Sequence, residues 1–320
     1  MLYPVFTAAA PTLLAPAAIL FAFVLCSIAL QLLKGILPVD GGRKFAFNGK
    51  LTAGRPRGAG LLIVAAFVIT AVLFVPLKPE NLVYLLMVVA AMLSGYLDDR
   101  SETPWNEYKK GAIDLAICLI TSFSFYNFNR DMTTLSLFGL EWKMPPVLFV
   151  LAGAVLLWVA INSTNCTDGV DGLCGTLTVV TVGFLAAFGG QIGMNQDVRA
   201  LSMLLIACIL PYLWRNAEPC QMMMGDAGSR AFGLFIGLVV MHTGNLLLYI
   251  PFSIVMLLDG FLGIIKVSLA RFLKIRIMKN IRTPLHDHVR KNKGWSGPQT
   301  VMRFAILQGL VSWVCMLLLR

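Results

Sequence analysis

Acidic residues that could do chemistry occur at three places in an otherwise apolar chain. The central place is the segment 165–173 (Asn-Cys-Thr-Asp-Gly-Val-Asp-Gly-Leu), which opens a predicted polar loop after the apolar run 147–161, and the other two are Asp98-Asp99 and Gly225-Asp226. Carboxylates beside a membrane are costly and mark functional sites by default, and glycines let the backbone approach a ligand closely. A helix cap would account for one such loop, but three of them on one side of the molecule predict a shared site.

The chemistry that these residue types favour is phosphoryl transfer. Aspartates supply oxygen ligands for Mg²⁺, which typically takes one or two carboxylates and keeps substrate phosphates and waters as its other ligands. The basic, glycine-rich turns 54–60 and 225–230 suit phosphate oxygens. Transfer of a phosphoryl group needs positioning and charge neutralisation more than a protein nucleophile. The chain has no Walker loop and no Ser/His/Asp order, which argues against an ATPase or a serine hydrolase.

The composition is that of a membrane protein. The chain has 320 residues, of which 58% are hydrophobic and 13% charged, with a mean hydropathy of +0.79, whereas soluble domains carry about 25% charged residues. Its apolar segments have the length of helices that cross a hydrocarbon core of about 30 Å. We therefore predict an all-α polytopic integral membrane protein in which residues 1–320 form a single transmembrane domain.

About ten transmembrane helices are predicted from the apolar segments. The predicted spans are 12–33, 59–76, 81–97, 112–126, 146–162, 174–190, 198–214, 231–243, 246–265 and 301–319. The segment 127–145 is predicted to form a small external hairpin. The segment 266–299 is long, basic and partly amphipathic, which indicates an extension of the ninth helix followed by a loop or an interfacial helix.

Lysine and arginine are concentrated on one side of these spans. The segments 34–58, 98–111, 215–230 and 266–303 hold 21 of the 26 basic residues. Because basic loops remain in the cytoplasm, both termini are predicted to lie outside. The net charge of +10 is then a topological signal and does not indicate nucleic-acid binding. The same orientation, derived from basic residues alone, puts all three acidic places on the cytoplasmic face.

Histidine and cysteine offer fewer clues. His286 and His288 follow Pro284, and residues at i and i+2 cannot share a helix face, so we predict an extended loop in which they either contact a diphosphate or are simply solvated. His242 lies in an apolar run and is predicted to be buried and hydrogen-bonded. The seven cysteines show no paired short spacing, so neither a disulfide nor a structural zinc site is predicted.

Taken together, the motifs resemble those of the polyprenyl-phosphate N-acetylhexosamine-1-phosphate transferase superfamily. The resemblance rests on the segment 165–173, on Leu97-Asp98-Asp99 at a predicted helix end and on the segment 224–229 (Met-Gly-Asp-Ala-Gly-Ser). The C-terminal segments 284–288, 293–295 and 301–304 are similar to those of the phospho-N-acetylmuramoyl-pentapeptide transferases within it. The similarity spans nearly the whole chain.

The resemblance implies a reaction, a location and partners. The family transfers phospho-N-acetylmuramoyl-pentapeptide from its UDP conjugate to undecaprenyl phosphate, with Mg²⁺ as cofactor, and so makes lipid I and UMP for peptidoglycan synthesis. The enzyme would be a multi-pass protein of the inner (cytoplasmic) membrane, would form a homodimer among membrane lipids, and would face the cytoplasm with its active site.

The resemblance also implies roles for single residues. Asp226 would bind Mg²⁺, Asp98 and Asp99 match the family's acidic pair with Asp98 as a base towards the lipid phosphate, and His286 matches the first histidine of a triple-histidine motif. The implied substrate-binding residues are Lys50, Asn165, Asp168, Asp171, Asn216, Met223 and His288.

The chain departs from the family pattern at several positions. Glu102 replaces a lysine after the acidic pair, Asp287 replaces the middle histidine of the triple, Met223 replaces the aromatic that stacks on uracil, and Arg290 replaces an acidic residue. These differences bear on cation contact and base stacking and leave the predicted reaction unchanged.

Two other functions are compatible with parts of the sequence. A sister transferase that loads N-acetylglucosamine-1-phosphate would share the aspartate motifs and differ in sugar recognition, and the segment 293–295 argues against it. An ion-coupled transporter would place its acids near the bilayer midplane on broken helices, whereas here they cluster at predicted helix ends.

Overall fold

The computed structural model describes residues 2–42, 53–101, 103, 105–137 and 140–319. Two residues singled out in the sequence, Lys50 and Glu102, lie outside the described residues.

The described chain consists almost entirely of helices. In order they are α1 (Tyr3–Ala9), α2 (Pro11–Leu32), α3 (Gly60–Phe74), α4 (Pro79–Arg100), α5 (Glu107–Phe128), α6 (Pro146–Thr167), α7 (Leu173–Gln191), α8 (Gln196–Asn216), α9 (Gly225–Met241), α10 (Leu246–Phe252), α11 (Ile254–Phe272), α12 (Leu285–Lys293) and α13 (Gly297–Leu318). Between α5 and α6, the antiparallel strands β1 (Thr134–Leu137) and β2 (Leu140–Lys143) form the predicted hairpin.

These helices make an all-α polytopic membrane fold, as predicted. Of the described helices, α2, α4, α5, α6, α7, α8 and α13 are long and apolar enough to cross a membrane, and the pair α10–α11, bent by 78°, would be an eighth span. The apolar helix α3 is shorter, with 15 residues. Each of the ten predicted segments contains a helix. That all ten cross the membrane, and that both termini lie outside, stay predictions. The predicted break between the eighth and ninth spans is confirmed, because residues 243–245 separate α9 from α10.

Local sequence explains where several helices begin. Pro79 and Pro146 lie in the first turns of α4 and α6, where the missing N–H of proline costs nothing. The Asn106 side chain caps α5 by accepting the backbone N–H of Lys109 at 2.7 Å. Ser296 and Gln299 form a capping box that starts α13.

Helix α9 lies at the centre of the bundle. Nearly every residue of α9 is buried, and the helix contacts α3, α4, α6 and α7. Glycine makes the closest approaches possible: a Cβ on Gly95 of α4 would lie 2.2 Å from the Asp226 carbonyl oxygen, and a Cβ on Gly233 would lie 2.5 Å from the Ala160 carbonyl oxygen of α6. Small residues let membrane helices pack backbone to backbone, and here they bring the acidic ends of α4 and α9 together.

Two sequence predictions of local structure were wrong. The apolar run 147–161 continues as a helix to Thr167, so Asn165 belongs to the last turn of α6 and the loop begins only after it. His286 and His288 lie on α12 and not in an extended loop. Two residues at i and i+2 cannot share one face of a helix, but both can still belong to a helix. The rings of His286 and His288 accordingly contact different partners.

His242 is buried, as predicted, but not hydrogen-bonded. Its ring packs edge-on against Phe125 and Tyr84, with centroid distances of 4.9 and 5.5 Å. Neither ring nitrogen has a hydrogen-bond partner among the described residues. All seven cysteines are free in the structure.

Candidate active site

Asp99 and Asp226 meet where the end of α4 contacts the start of α9. Asp99 Oδ2 accepts the backbone N–H of Ala227 at 3.2 Å. The residue before Asp226 is Gly225, with φ +73°, and a Cβ there would lie 2.3 Å from Asp99 Oδ2. Glycine is therefore required at 225 both by the left-handed backbone and by the closeness of the Asp99 carboxylate.

Arg57 lies between these two carboxylates. Its Nη2 is 3.0 Å from Asp99 Oδ1 and 3.6 Å from Asp226 Oδ1. The arginine is held in place by backbone: Met223 N–H donates to the Pro56 carbonyl at 2.8 Å and Ala59 N–H donates to the Met223 carbonyl at 3.0 Å. Arg57 thus reaches the site from the chain before α3, a segment far from both aspartates in sequence.

The electrostatics around Arg57 indicate how strongly acidic this region is. Burial acts to lower the pKa of the Arg57 guanidinium, but the carboxylates of Asp99, Asp226, Asp168 and Asp40 outweigh it and leave the pKa above its ordinary value. Asp168 of the central loop therefore belongs to the same electrostatic cluster as the two aspartates at the helix ends.

Asp98 faces a second cation. Lys110 of α5 contacts Asp98 Oδ2 and lies 3.8 Å from Asp226 Oδ2. The other oxygen of Asp98 accepts the backbone N–H of Trp105 at 2.9 Å. Adjacent residues of α4 thus pair with different cations, Asp98 with Lys110 and Asp99 with Arg57.

A buried ion pair lies behind this cluster. Arg230 Nη1 donates to Asp114 Oδ1 at 3.0 Å and to the Ser94 hydroxyl at 3.2 Å. Arg230 Nη2 is 3.5 Å from Asp226 Oδ2 and 3.9 Å from Asp98 Oδ2. Sequence reasoning read Arg230 as part of a phosphate-binding turn and did not single out Asp114. The acidic residue in an otherwise apolar helix was the available signal.

The central loop is attached to α9 and to the turn before α3. Asn165 donates through Nδ2 to the Ser229 hydroxyl at 3.0 Å, which fixes the end of α6 beside the start of α9. Asp171 Oδ2 lies 3.7 Å from Arg55 Nη1. Burial raises the pKa of the Asp171 carboxyl above its usual value, and Arg55 opposes that effect.

Asn216 fixes the shape of the central loop. It is buried, and its Oδ1 accepts the backbone N–H of Gly172 at 2.6 Å while its Nδ2 donates to the Met222 carbonyl at 2.8 Å. Met223, the predicted stacking position, is also buried, and its backbone pairs with Arg57. Both residues therefore shape the walls of the site, and their contact with substrate stays a prediction.

His286 is oriented by Asp259, which sequence reasoning missed. The carboxylate accepts the His286 backbone N–H at 2.7 Å through Oδ1, and Oδ2 lies 2.8 Å from Nδ1. Because a carboxylate only accepts, Nδ1 carries the proton. A Cβ on Gly169 would lie 2.2 Å from His286 Nε2, so this nitrogen faces the central loop.

The sequence contained a signal for Asp259. It is an acidic residue inside the predicted span 246–265, and an ionisable residue within an apolar segment indicates a functional site. In the structure it lies on a π-helical turn, Leu257–Phe261 of α11. His288, by contrast, accepts the backbone N–H of Arg282 at 3.3 Å through Nδ1 and is directed away from Asp259.

The donor set fits a divalent cation that is held jointly with a substrate. In the described part of the chain, no three His, Cys, Asp or Glu side chains are grouped so as to hold a metal ion by themselves. Two carboxylates are nevertheless adjacent, those of Asp99 and Asp226, and Mg²⁺ commonly takes one or two carboxylates and completes its shell with phosphate oxygens and waters. Arg57 and Lys110 add two cations that can pair with phosphate.

Comparisons with known proteins agree with this chemistry. The family model described as Glycosyl transferase family 4 matches residues 81–244, just over half of the chain. The phospho-N-acetylmuramoyl-pentapeptide-transferase of Treponema pallidum (strain Nichols) is 39% identical over 299 residues, which cover 86% of this chain and 81% of the relative. Proteins of the same name from Wolbachia sp. subsp. Drosophila simulans and Clostridioides difficile are 27% and 23% identical, over 80% and 82% of this chain and 82% of each relative. The chain therefore belongs to glycosyl transferase family 4 and, within it, to the phospho-N-acetylmuramoyl-pentapeptide transferases.

Proposed function

We propose that this membrane enzyme transfers phospho-N-acetylmuramoyl-pentapeptide from its UDP conjugate to undecaprenyl phosphate. An oxygen of the lipid phosphate forms a bond to the β-phosphorus of the nucleotide, the bond from that phosphorus to the oxygen shared with the α-phosphate breaks, and UMP leaves with the electron pair. The product is lipid I, a precursor in peptidoglycan synthesis. The observation that carries the proposal is the meeting of Asp98, Asp99 and Asp226 with Arg57 and Lys110 at one end of the bundle.

Asp226, with Asp99 beside it, would hold the Mg²⁺ ion. The ion supplies neutralisation of the diphosphate charge and of the charge that develops on the departing UMP. Asp226 suits this role because its side chain is the more exposed of the two, at 17% against 0% for Asp99. Asp99 then acts mainly by fixing Arg57 and the start of α9.

The cations and Asp98 position the two phosphates. Arg57 reaches Asp99 and Asp226 through Nη2 and lies 3.8 Å from Asp40 Oδ1 through Nη1. Its guanidinium is partly exposed and would donate to a diphosphate oxygen. Lys110, which contacts Asp98 and lies near Asp226, can attract the lipid phosphate. Asp98 would act as a base towards that phosphate, although a phosphate is largely ionised near neutral pH, so positioning contributes more than proton removal.

The central loop and α12 provide the nucleotide end of the site. Asp168 would meet the nucleotide, and Asp171 would lie near the uridine. Asn165 belongs to the same segment, and His288 would contact the diphosphate. His286 faces this loop through Nε2, which can accept or donate a proton at the substrate.

The location and assembly follow from the same argument. We expect a multi-pass protein of the inner membrane, with both termini outside and this site in the cytoplasm, because basic residues crowd the loops that carry the aspartates. The substrates are then a soluble nucleotide and a lipid of the cytoplasmic leaflet. The homodimer is proposed from the family resemblance alone.

Release of UMP by the purified full-length protein in detergent tests the proposal. Wild-type protein should release UMP only with Mg²⁺, undecaprenyl phosphate and UDP-N-acetylmuramoyl-pentapeptide together, and chelation of the metal should abolish the signal. The Asp226→Ala variant should lose Mg²⁺-dependent turnover by on the order of a hundredfold or more. Equal or faster release from UDP-N-acetylglucosamine would identify the sister transferase instead, and near wild-type turnover by Asp226→Ala would remove that residue from the centre.

A further inference from the structure

Two adjoining cavities lie between α2, α8 and the chain that leads to Arg57. The first has a volume of about 340 Å³ and is lined by Lys34, Leu37, Val39, Pro56, Arg215 and Met222. The second has a volume of about 330 Å³ and is lined by Phe23, Ser27, Pro211, Trp214 and Arg215. Arg215 lines both cavities, so the two meet at this residue beside the α2–α8 pair.

The first cavity is charged, like a phospholipid headgroup, and the second is mainly apolar, like an acyl chain. The first contains two cations, Lys34 and Arg215, on walls that are apolar apart from Gln221, and the second is apolar apart from Ser27 and Arg215. Trp214, next to the arginine, is 84% exposed, and tryptophan favours the level of the lipid headgroups. Among the described residues, neither Lys34 nor Arg215 makes an ion pair or a side-chain hydrogen bond, although Arg215 is half-buried.

We propose that this cavity pair binds an anionic phospholipid of the cytoplasmic leaflet. Its phosphate contacts Arg215 and Lys34 in the first cavity, and one of its acyl chains lies along Phe23, Pro211 and Trp214 in the second. A basic pocket between membrane helices on the cytoplasmic side is a suitable site for an anionic headgroup, and the guanidinium can donate two hydrogen bonds to one phosphate.

The occupant is distinct from the reacting lipid. None of Asp98, Asp99 and Asp226 lines either cavity, so a phosphate held here would not reach the centre described above. The site nevertheless adjoins that centre, because Pro56 lines the first cavity and its carbonyl accepts the Met223 N–H that fixes the segment beside Arg57. A bound lipid therefore stabilises the backbone that positions Arg57, and we expect it to raise activity.

Lipid retention measured by native mass spectrometry tests the site without any turnover. The full-length protein is purified from vesicles of phosphatidylcholine with a minor fraction of phosphatidylglycerol, and the bound lipids are counted. Each cation near a membrane surface adds about 1 kcal/mol of attraction, so Arg215→Gln and Lys34→Gln should each lower retention of phosphatidylglycerol on the order of fivefold. Arg276→Gln, an exposed basic residue on the same predicted side, is the matched control and should retain the lipid.

The outcomes separate this proposal from the proposed reaction. The proposal is overturned if Arg215→Gln and Arg276→Gln retain phosphatidylglycerol equally, or if the wild-type protein retains phosphatidylcholine as well as phosphatidylglycerol. Displacement of phosphatidylglycerol by one equivalent of undecaprenyl phosphate would also overturn it. Arg215→Lys, which keeps the charge, should retain most of the lipid and guards against a loss caused by misfolding. Stimulation of UMP release by phosphatidylglycerol, lost in Arg215→Gln but not in Arg276→Gln, is the expected consequence for activity.

Discussion

At the scale of single residues, Arg230 is the buried cation behind Asp98 and Asp226, two of the candidate site residues. Its guanidinium binds Asp114 and Ser94 on one side and approaches Asp98 and Asp226 on the other. Both Arg230 and Asp114 have only 4% of their side chains exposed. A buried charge without its partner is strongly destabilising. The Arg230–Asp114 pair therefore has a structural role in addition to positioning Asp98 and Asp226, and suitable variants separate the two roles.

The variant Arg230→Met should destabilise the protein by about 3–5 kcal/mol, because it leaves Asp114 buried without a counter-charge. The double variant Arg230→Met with Asp114→Leu removes both charges and should recover most of the stability in a thermal unfolding assay. Its UMP release should remain low, because Asp98 and Asp226 have lost the cation that orients them. Full recovery of activity in the double variant would show that Arg230 is only structural.

The contact between Asp259 and His286 predicts a loss in turnover rather than in binding. Asp259→Asn should lower kcat by up to about a hundredfold, since a misoriented catalytic ring can cost that much, while KM changes little. Asp287→Asn on the same helix is the matched control, because that carboxylate pairs with Lys291 at 2.8 Å and not with His286. Equal effects of the two substitutions on kcat would contradict the role of Asp259.

The candidate acidic residues could be selected from residue type and spacing. Glycines beside aspartates and an acidic pair at a helix end singled out Asp98, Asp99, Asp168, Asp171 and Asp226, whose roles in the reaction stay predictions. The partners of these residues could not be predicted, because Arg57, Lys110 and Arg230 reach them only through helix packing. The roles of Asn216 and Met223 in fixing backbone are likewise invisible in a sequence.

At the scale of helices, the site depends on the close packing of α3 and α9. A Cβ on Gly60, the first residue of α3, would lie 2.0 Å from the Gly228 backbone nitrogen of α9. Backbone atoms cannot move aside as a flexible side chain can. The glycine therefore sets how near Arg57, which precedes α3, comes to Asp226 of α9.

Gly60→Ala should separate the two helices and lower both stability and UMP release. Gly111→Ala is the matched control, because Gly111 of α5 is also helical and a Cβ there meets nothing within 4 Å. Alanine has the higher helix propensity, by about 1 kcal/mol, so Gly111→Ala should be neutral or stabilising. Unfolding temperatures of the two purified variants, measured together, check this, and equal unfolding temperatures would count against close packing at Gly60.

Hydrophobic runs predicted the helices well and their ends less well. The run 147–161 is apolar, but α6 continues for another turn and a half to Thr167, where Ser163 and Thr167 are bonded within the helix. Likewise α9 begins at Gly225 rather than near 231, because the polar residues of its first turn are buried against α4. Polar residues next to an apolar run therefore indicate a buried polar site within a helix as readily as they indicate a loop.

At the scale of the whole molecule, the loops predicted to be external contact one another. Lys78 pairs with Asp197 at 2.6 Å, which joins the loop before α4 to the start of α8. Asn129 donates to Glu80 at 2.7 Å, which joins the end of α5 to the start of α4. These contacts lie at the opposite helix ends from Asp98 and Asp99, so the candidate site and the loops predicted to be external occupy opposite ends of the described helices.

Reporter fusions test the predicted orientation. An alkaline phosphatase fused after Arg320 should be active, because that enzyme matures only outside the cytoplasm, and the same reporter fused after Lys279 should be inactive. Basic residues crowd the segment 266–303 and not the C-terminus, which gives this expectation its physical basis. The reverse pattern would place the aspartates on the outer face and rule out a cytoplasmic nucleotide as substrate.

The central claim is that separate helices build one centre for a metal ion and a diphosphate. The most direct measurement is a cryo-electron microscopy structure of the protein with Mn²⁺, as a Mg²⁺ substitute, and UDP-N-acetylmuramoyl-pentapeptide. We expect the ion to be held by Asp226 and the diphosphate to lie beside Arg57 and Lys110. A diphosphate bound away from Asp226 and Arg57, or an ion held by other residues, would contradict the account.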